Sequence, residues 1–334
     1  MKYELETTNC NLCGSRDYEV CLKNVKELYV GLDEFFDVVQ CKKCGFKFTN
    51  PRPTQATMNY FYPDISGYYT PTETDDKRPD TFRKKIYKGI LKNHYGYPFA
   101  ANVPAVLTYP IYLLFWRKIS MRFLPRYVKG GKLLDIGCSW GGYLSKMKEL
   151  GWDTYGVEMN SKIVDYAKEN LGLQNIYNGL IEEIEFDRKY FSAVNMSMIL
   201  EHTYNPLGVL RKVNYIMKNN GQLIITTPDI SGFEANTFKD KFYGIQVPQH
   251  LNHFTPNTIK LVLSKAGFKI EKMIHHNFDR DIVGSLSYSR NKRFFRFVSN
   301  KIVRKTLVNL FVNFLSLIGK SSRITVYARK IRDI

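Results

Sequence analysis

Residues 132–160 read KLLDIGCSWGGYLSKMKELGWDTYGVEMN, and this stretch decides the fold. Lys132 to Ile136 is a short strand-forming run that breaks at Gly137. A glycine-rich turn follows through Gly142. Tyr143 to Leu150 then has helical spacing, with Tyr143, Leu144, Met147 and Leu150 on one face. Thr154 to Val157 forms a second strand, closed by the acid Glu158. The unit is β-loop-α-β with a carboxylate at the tip of its second strand. Glycines let the backbone approach a ligand, and the acid accepts hydrogen bonds from two ribose hydroxyls, so the unit suits an adenosine group.

The spacing is Asp135-x-Gly137-x-Ser139-x-Gly141, not the dinucleotide GxGxxG. With Glu158 it resembles the first two motifs of class I S-adenosylmethionine (SAM)-dependent methyltransferases. Serine replaces the usual middle glycine, at a backbone cost if φ is positive there. The resemblance implies a Rossmann-like α/β sheet with helices on both faces. It implies SAM contacts from Asp135, Gly137, Ser139, Gly141, Glu158, Met159 and Ser197. The adenine-bracketing loop after the third strand, Ile176 to Glu183, has Leu180 where an acid is common. Leu180 and Ile181 then supply apolar contact and Glu182 the polar acceptor.

Downstream, Ser161 to Asn170 is a helix that Asn160 or Ser161 can cap. Tyr190 to Ser197 is the fourth strand, and it runs into Met198-Ile-Leu-Glu-His-Thr-Tyr-Asn-Pro206. Leu207 to Met217 forms a helix, Lys218 to Gly221 its exit turn, and Gln222 to Asp229 the fifth strand. Gln249-His-Leu-Asn-His-Phe-Thr-Pro256 precedes a helix from Asn257 to Ala266, with Thr255 at its N-cap and Pro256 at its first position. Gly267 to Glu271 leads into strand six, and Ile324 to Ala328 is the last strand. The segments around Leu200-Glu201-His202 and Gln249 to Pro256 strengthen the methyltransferase resemblance.

The N-terminus carries two matching knuckles, Cys10-Asn-Leu-Cys13-Gly14 and Cys41-Lys-Lys-Cys44-Gly45. Each aims two thiolates at one ion, and together they make a closed Cys₄ site suited to a structural Zn²⁺. Strand-forming runs Tyr18 to Leu22 and Phe35 to Val39 lie between them, so the expectation is a zinc ribbon with a long hairpin. Cys21 is expected to be a packed apolar residue. Asn50-Pro-Arg-Pro-Thr54, Tyr60-Phe-Tyr-Pro63 and Gly67-Tyr-Tyr69 follow. This leader resembles a bacterial methyltransferase group common among enzymes that tailor surface polysaccharides and other glycans. Its tyrosines either pack between ribbon and core or form a lid.

The 334 residues carry a formal net charge of +18, which favours an anionic partner. The N-terminus shows no apolar export signal, and paired CxxC motifs then favour metal binding in a reducing cytoplasm. Three divisions are expected: a ribbon over 1–54, a basic and apolar connector over 55–130, and a methyltransferase core over 131–334 with a helical insertion at 281–323. Gly96 to Trp116 has no charged residue, but its prolines argue against one regular membrane span. The insertion mixes Lys292, Arg293, Arg296, Lys301 and Lys305 with phenylalanines, then turns almost wholly apolar from Leu307 to Ile318. Connector and insertion both suit an anionic membrane surface from the cytoplasmic side, or pack as helical caps.

The chemistry expected is methyl transfer to a hydroxyl, which needs a base. His250 is the first candidate, His202 the second, and His253 lies in the same loops. The acceptor implied by the resemblance is a sugar hydroxyl on a nucleotide sugar or lipid-linked glycan. Two other functions fit parts of the chain. An RNA methyltransferase would use the ribbon and the positive charge, but nucleic acid is the weaker partner because the cations sit among apolar runs. A non-catalytic ribbon adaptor would need a degenerate SAM fold, against the intact Asp135, Gly137, Gly141 and Glu158.

Overall fold

The structure, a computed structural model, describes residues 2–62, 82–98, 103–120, 123–289 and 292–334. Pro63, Gly67 to Tyr69 and the polar stretch Thr70 to Pro79 lie outside the described residues. In chain order the N-terminal strands are β1 (Leu5–Glu6), β2 (Tyr18–Lys26), β3 (Phe35–Cys41), β4 (Lys47–Thr49) and β5 (Arg52–Pro53). Helices α1 (Phe82–Tyr95) and α2 (Ala105–Ser120) follow. Next come β6 (Lys132–Ile136), α3 (Gly142–Glu149), β7 (Asp153–Glu158), α4 (Ser161–Leu171), β8 (Ile176–Asn178) and β9 (Phe191–Ser197). Then α5 (Pro206–Ile216), β10 (Met217–Pro228), α6 (Phe233–Phe238), β11 (Asn252–His253), α7 (Pro256–Lys265) and β12 (Phe268–His275). The chain ends with α8 (Arg280–Tyr288), α9 (Lys292–Ser299), α10 (Lys301–Val303), α11 (Asn309–Leu317) and β13 (Arg323–Lys330).

The main sheet has seven strands in the order β12-β13-β10-β9-β6-β7-β8. β6 pairs parallel with both β7 and β9, and β7 with β8. The order therefore reverses at β6, and the loop leaving its carboxyl end is where an open α/β sheet binds ligands. The last strand returns between β10 and β12, and α8, α9, α10 and α11 come between β12 and β13 in the chain. Lys218 to Gly221 is not a free turn. β10 starts at Met217, and Asn220 takes a left-handed φ of 60° within it.

Two compact units divide the chain differently from the three expected divisions. One comprises residues 66–197, 212–224 and 327–334. In it, Ile90, Leu91, Tyr95 and Tyr97 pack in one core with Leu133, Leu144, Met147 and Trp152. α1 is thus a packed element of the methyltransferase sheet. Among the described residues no helix is long and apolar enough to cross a membrane.

The other unit comprises residues 1–65, 198–211 and 225–326. Its four-stranded sheet has the order β11-β4-β3-β2. β11 belongs to the Gln249–Pro256 segment, and its Asn252 and His253 lie opposite Phe48 and Lys47. Val25, Phe36, Val38 and Phe61 share a core with Phe242, Ile245, Val247 and Leu251. The ribbon is therefore one body with the segments that follow β9 and β10, not a separate bead over 1–54. Cys21 is exposed, against expectation. Alternation along Tyr18, Val20 and Leu22 puts Cys21 on the other face with Glu19 and Lys23, and its Sγ donates to Val38 O at 3.1 Å.

Candidate functional site

The loop after β6 is held in a conformation that favours glycine. Gly137, Ser139 and Gly141 have φ of 71°, 49° and 80°. The Gly137 and Cys138 N–H groups donate to Val157 O at 2.8 and 3.2 Å. Glu158 Oε2 accepts the Ser139 N–H at 3.0 Å, and Oε1 accepts the Asn160 N–H at 3.1 Å. Asn160 in turn caps α4 by accepting the Ile163 N–H. A Cβ on Gly141 would come within 2.5 Å of Leu173 Cδ1, and one on Gly156 within 2.7 Å of Cys138 Sγ. The loop thus sits flush against its neighbours with no room for side chains at those points.

Below the loop, Asn195 Nδ2 donates to Asp135 Oδ1 at 2.6 Å. Burial raises the Asp135 carboxyl to about 8; the Asn195 bond opposes this and the Glu158 charge adds to it. Met159 is 62% exposed beside Glu158. Leu180 and Ser197 are half-buried, Glu182 is exposed, and Ile181 is turned into the core. The loop's own carboxylate contact comes from Glu183, which accepts the Leu180 N–H. Trp140 went unremarked in the sequence. Its ring meets Tyr166 edge-on at 4.7 Å, and its buried Nε1–H has no partner among the described residues. A large aromatic inside a turn of small residues was the available signal. A tight left-handed turn, a fixed carboxylate with spare lone pairs and an orphaned indole donor fit an adenosyl group. Glu158 would take its ribose hydroxyls, and Met159 and Leu180 would flank its base.

The four cysteines form the second feature. Cys10, Cys13, Cys41 and Cys44 place their sulfurs within 4.8 Å of one another. Gly14 and Gly45 donate to the carbonyls of Cys10 and Cys41, each at 2.8 Å, so the knuckles are built alike. Burial raises the Cys44 thiol to about 11. Burial opposes ionisation of Cys41 too, but the Cys44 and Lys43 amides and the Cys13 thiol outweigh it and bring Cys41 to about 7. One thiol is thus ready to ionise first, and a closed thiolate set of this kind fits a structural Zn²⁺.

The third feature lies in the unit that holds the ribbon. Met198 turns with a left-handed φ of 59°, and Leu200–His202 forms one 3₁₀ turn. Leu251 N–H donates to Glu201 O at 2.8 Å, and Asn252 Nδ2 donates to Thr203 O at 2.6 Å. These bonds bring Glu201, His202 and His250 together, with one donor atom from each inside 4.8 Å. The two imidazoles meet edge-on, with centroids 4.6 Å apart. His250 Nδ1 lies 2.9 Å from Gly244 O, and His202 Nδ1 lies 3.0 Å from both Gln249 O and the Tyr62 hydroxyl. A carbonyl only accepts, so Nδ1 carries the proton in each ring and Nε2 is left with a lone pair. Burial lowers His202 to about 4 and holds His250 well below its ordinary value, so both are neutral near pH 7. Burial raises Glu201 to about 7, with the Thr227 hydroxyl and the Arg323 charge opposing it. Sequence reasoning missed Glu201, because only the fold removes it from water.

His253 is set apart from this cluster. It lies in β11, buried, with Nε2 3.0 Å from Thr49 Oγ1. Thr49 gives its own proton to His250 O at 2.8 Å, so His253 Nε2–H is the donor. Its bonds join ribbon to loop.

A methyltransferase-domain family matches residues 112–273. An uncharacterized protein of Haemophilus influenzae is 27% identical over 190 residues, 52% of this chain and 72% of that one. The mitochondrial ubiquinone biosynthesis O-methyltransferase of Schizosaccharomyces pombe is 30% identical over 104 residues, 29% of this chain and 38% of that enzyme. Its Coxiella burnetii counterpart is 27% identical over 131 residues, 37% of this chain and 55% of that enzyme. A SAM-dependent methyltransferase structure from Archaeoglobus fulgidus is similar at a TM-score of 0.44 and 22% identity, over 66% of this chain and 99% of that one. The matched segment contains the β6 loop, Glu158 and the strand order that reverses at β6, so residues 112–273 are a class I SAM-dependent methyltransferase domain.

Proposed function

We propose that the protein O-methylates a hydroxyl, and that the acceptor is a sugar of a nucleotide sugar or lipid-linked glycan. The observation that carries this is the buried group Glu201, His202 and His250, with donor atoms within 4.8 Å of one another. A hydroxyl must shed its proton as its oxygen is alkylated, whereas a sulfur or amine acceptor needs less help. SAM, when bound, supplies a methyl group already activated on a sulfonium. His250 Nε2 would take the proton of an acceptor hydroxyl. Gly244 O fixes the imidazole tautomer that can accept that proton.

The choice of a glycan over another hydroxyl rests on the leader's resemblance and on the surface of the insertion. Phe294, Phe297, Leu307, Leu310 and Phe314 are exposed beside Lys292, Arg293, Arg296 and Lys305. That surface suits a phosphorylated, lipid-carried substrate at an anionic membrane. The ubiquinone O-methyltransferases favour a second reading, a phenolic hydroxyl on a lipid-like acceptor, which the same cluster would serve.

The test is transfer of label from SAM to fractions of lipid-linked glycan, quinone precursor and RNA. Label in the glycan fraction, lost by roughly 10²- to 10⁴-fold in His250→Gln, is the expected result. Label in RNA alone overturns the proposal.

A further inference from the structure

We infer that the cavity where α8, α9 and α10 meet is a binding site for a phosphate ester. The cavity has a volume of about 400 Å³ and is lined by Asp279, Ser299, Lys301, Arg304, Lys305 and Asn309. Small-molecule sites occupy roughly 300–1,000 Å³, so it can hold an ester and not merely an ion. Every lining residue carries a polar or charged group, with three cations against one acid.

The cavity is built from helix ends. Asp279 is the N-cap residue of α8, Ser299 the last residue of α9 and Lys301 the first of α10. Val298, Val308 and Val312 pack with Ile282 and Leu286 into one core, which holds these ends together. From Lys301 to Leu317 the chain is one run of helix, with a π turn over Arg304–Val308 between α10 and α11. Such turns are rare and recur at functional sites. Arg304, Lys305 and Asn309 follow Lys301 by three, four and eight positions, so the helix brings them to one face. Like charges at this spacing destabilise a helix, and an anion among them removes the conflict.

The side chains are set for that anion. Arg304 donates to Asp279 twice, Nε to Oδ2 at 2.5 Å and Nη2 to Oδ1 at 2.9 Å. The pair neutralises the acid and orders the guanidinium, whose Nη1 has no partner among the described residues. Lys301 and Lys305 are exposed and form no ion pair among the described residues. Ser299 Oγ is buried with no hydrogen-bond partner. A buried hydroxyl in that state is costly, and a ligand oxygen would remove the cost. A phosphate monoester carries about −1.5 to −2 charges near pH 7 and three strong acceptor oxygens. Its charge matches the two lysines, and its oxygens match Ser299, Arg304 Nη1 and the Asn309 amide. A carboxylate brings one charge and two oxygens, which would leave donors unused.

The experiment is calorimetric titration of the intact chain with glycerol 3-phosphate, without SAM. One saturable equivalent is expected. Its affinity should fall about tenfold or more in Lys301→Gln with Lys305→Gln. Ser299→Ala should also weaken it, yet leave the ligand-free chain as stable as before or more so, because an orphaned hydroxyl is gone. Arg293→Gln with Arg296→Gln removes the same charge from the same insertion outside the cavity, and should leave the affinity unchanged. All four of these basic residues are exposed, so both double variants should fold. No binding overturns the inference, as does equal weakening by the two double variants, which would reduce the attraction to overall charge. The ester could sit on a lipid headgroup or on a soluble sugar phosphate. Phosphatidylcholine vesicles with phosphatidic acid that compete with glycerol 3-phosphate, and need Lys301 and Lys305 to do so, would identify the headgroup. Vesicles that leave the titration unaltered would identify the soluble ester. Because SAM is absent from the titration, its failure would leave the proposed O-methylation standing.

Discussion

Glu158 holds the Ser139 N–H at 3.0 Å and so fixes the backbone of the loop that would carry the SAM ribose. The carboxylate has two tasks, to shape the turn and to face the ligand. Hydrogen bonds to a charged acceptor contribute ~1.5–3 kcal/mol each. Glu158→Gln should therefore weaken SAM by about 10- to 100-fold in calorimetry, since the amide accepts on one side only. Ser139 at φ 49° stands in the region costing a non-glycine residue ~1–2 kcal/mol. Ser139→Gly relieves that cost but adds freedom to the unfolded chain, worth ~0.4–1 kcal/mol. The expected outcome is unchanged or slightly raised thermal stability with SAM affinity retained. A large loss of affinity would mean that the Ser139 hydroxyl itself binds the ligand.

Asp135 gives a pH signature. Burial raises its folded-state pKa from 3.8 to about 8. A raised carboxyl binds protons more tightly in the folded state. It contributes stability that is fully present below the unfolded value and is lost as pH rises through about 8. The SAM-free protein should thus lose stability across that window, by an amount that Asp135→Asn removes. Asparagine keeps an oxygen for Asn195 and cannot titrate. Urea midpoints at mildly acid and mildly alkaline pH, compared between the two proteins, provide the measurement.

The ribbon should act as a structural part of its unit and not as an independent bead. β4 pairs with β11, and Thr49 joins His253 Nε2 to His250 O. Cys41→Ser should release zinc and lower the melting temperature of the whole unit, with activity falling as His250 loses its support. His253→Ala leaves the Thr49 hydroxyl unpaired on one side, for a cost of ~1–3 kcal/mol. Its effect should fall on stability, with turnover per folded molecule preserved. A large drop in turnover at full stability would place His253 in the chemistry after all.

What the sequence made legible was local. The β6 turn, Glu158, the Asn160 cap and the Thr255 cap are all set by residues a few positions apart. What stayed hidden depended on contacts distant in sequence. His253 and Thr49 lie 204 positions apart, so nothing in the HLNHFTP run marked it as a strand of the ribbon sheet. Glu201 looked like one more loop acid until burial stripped it of water. Cys21, expected to pack, shares the exposed strand face of Glu19 and Lys23. Trp140 sat within the quoted motif, but its unpaired Nε1–H is a fact of packing.

The helical insertion leads to a prediction about place. α8, α9 and α11 bury Ile282, Leu286, Val298 and Val312 in a core of their own. That leaves Leu310 69% and Phe314 56% exposed on α11, with Phe297 54% exposed on α9. Arg293, Arg296 and Lys305 are exposed on the same segment, and Arg304 is paired with Asp279. Exposed apolar side chains among exposed cations favour the surface of an anionic bilayer, at about 1 kcal/mol for each basic residue near it. The full-length protein should cosediment with vesicles rich in phosphatidylglycerol and release them as salt rises. Pure phosphatidylcholine vesicles should bind far less. Leu310→Glu with Phe314→Glu should reduce cosedimentation by tenfold or more, or about 1.4 kcal/mol, without loss of folding, because both positions are already in water. Equal binding to neutral and anionic vesicles would refute the electrostatic part. No binding to either would leave this face to a protein partner.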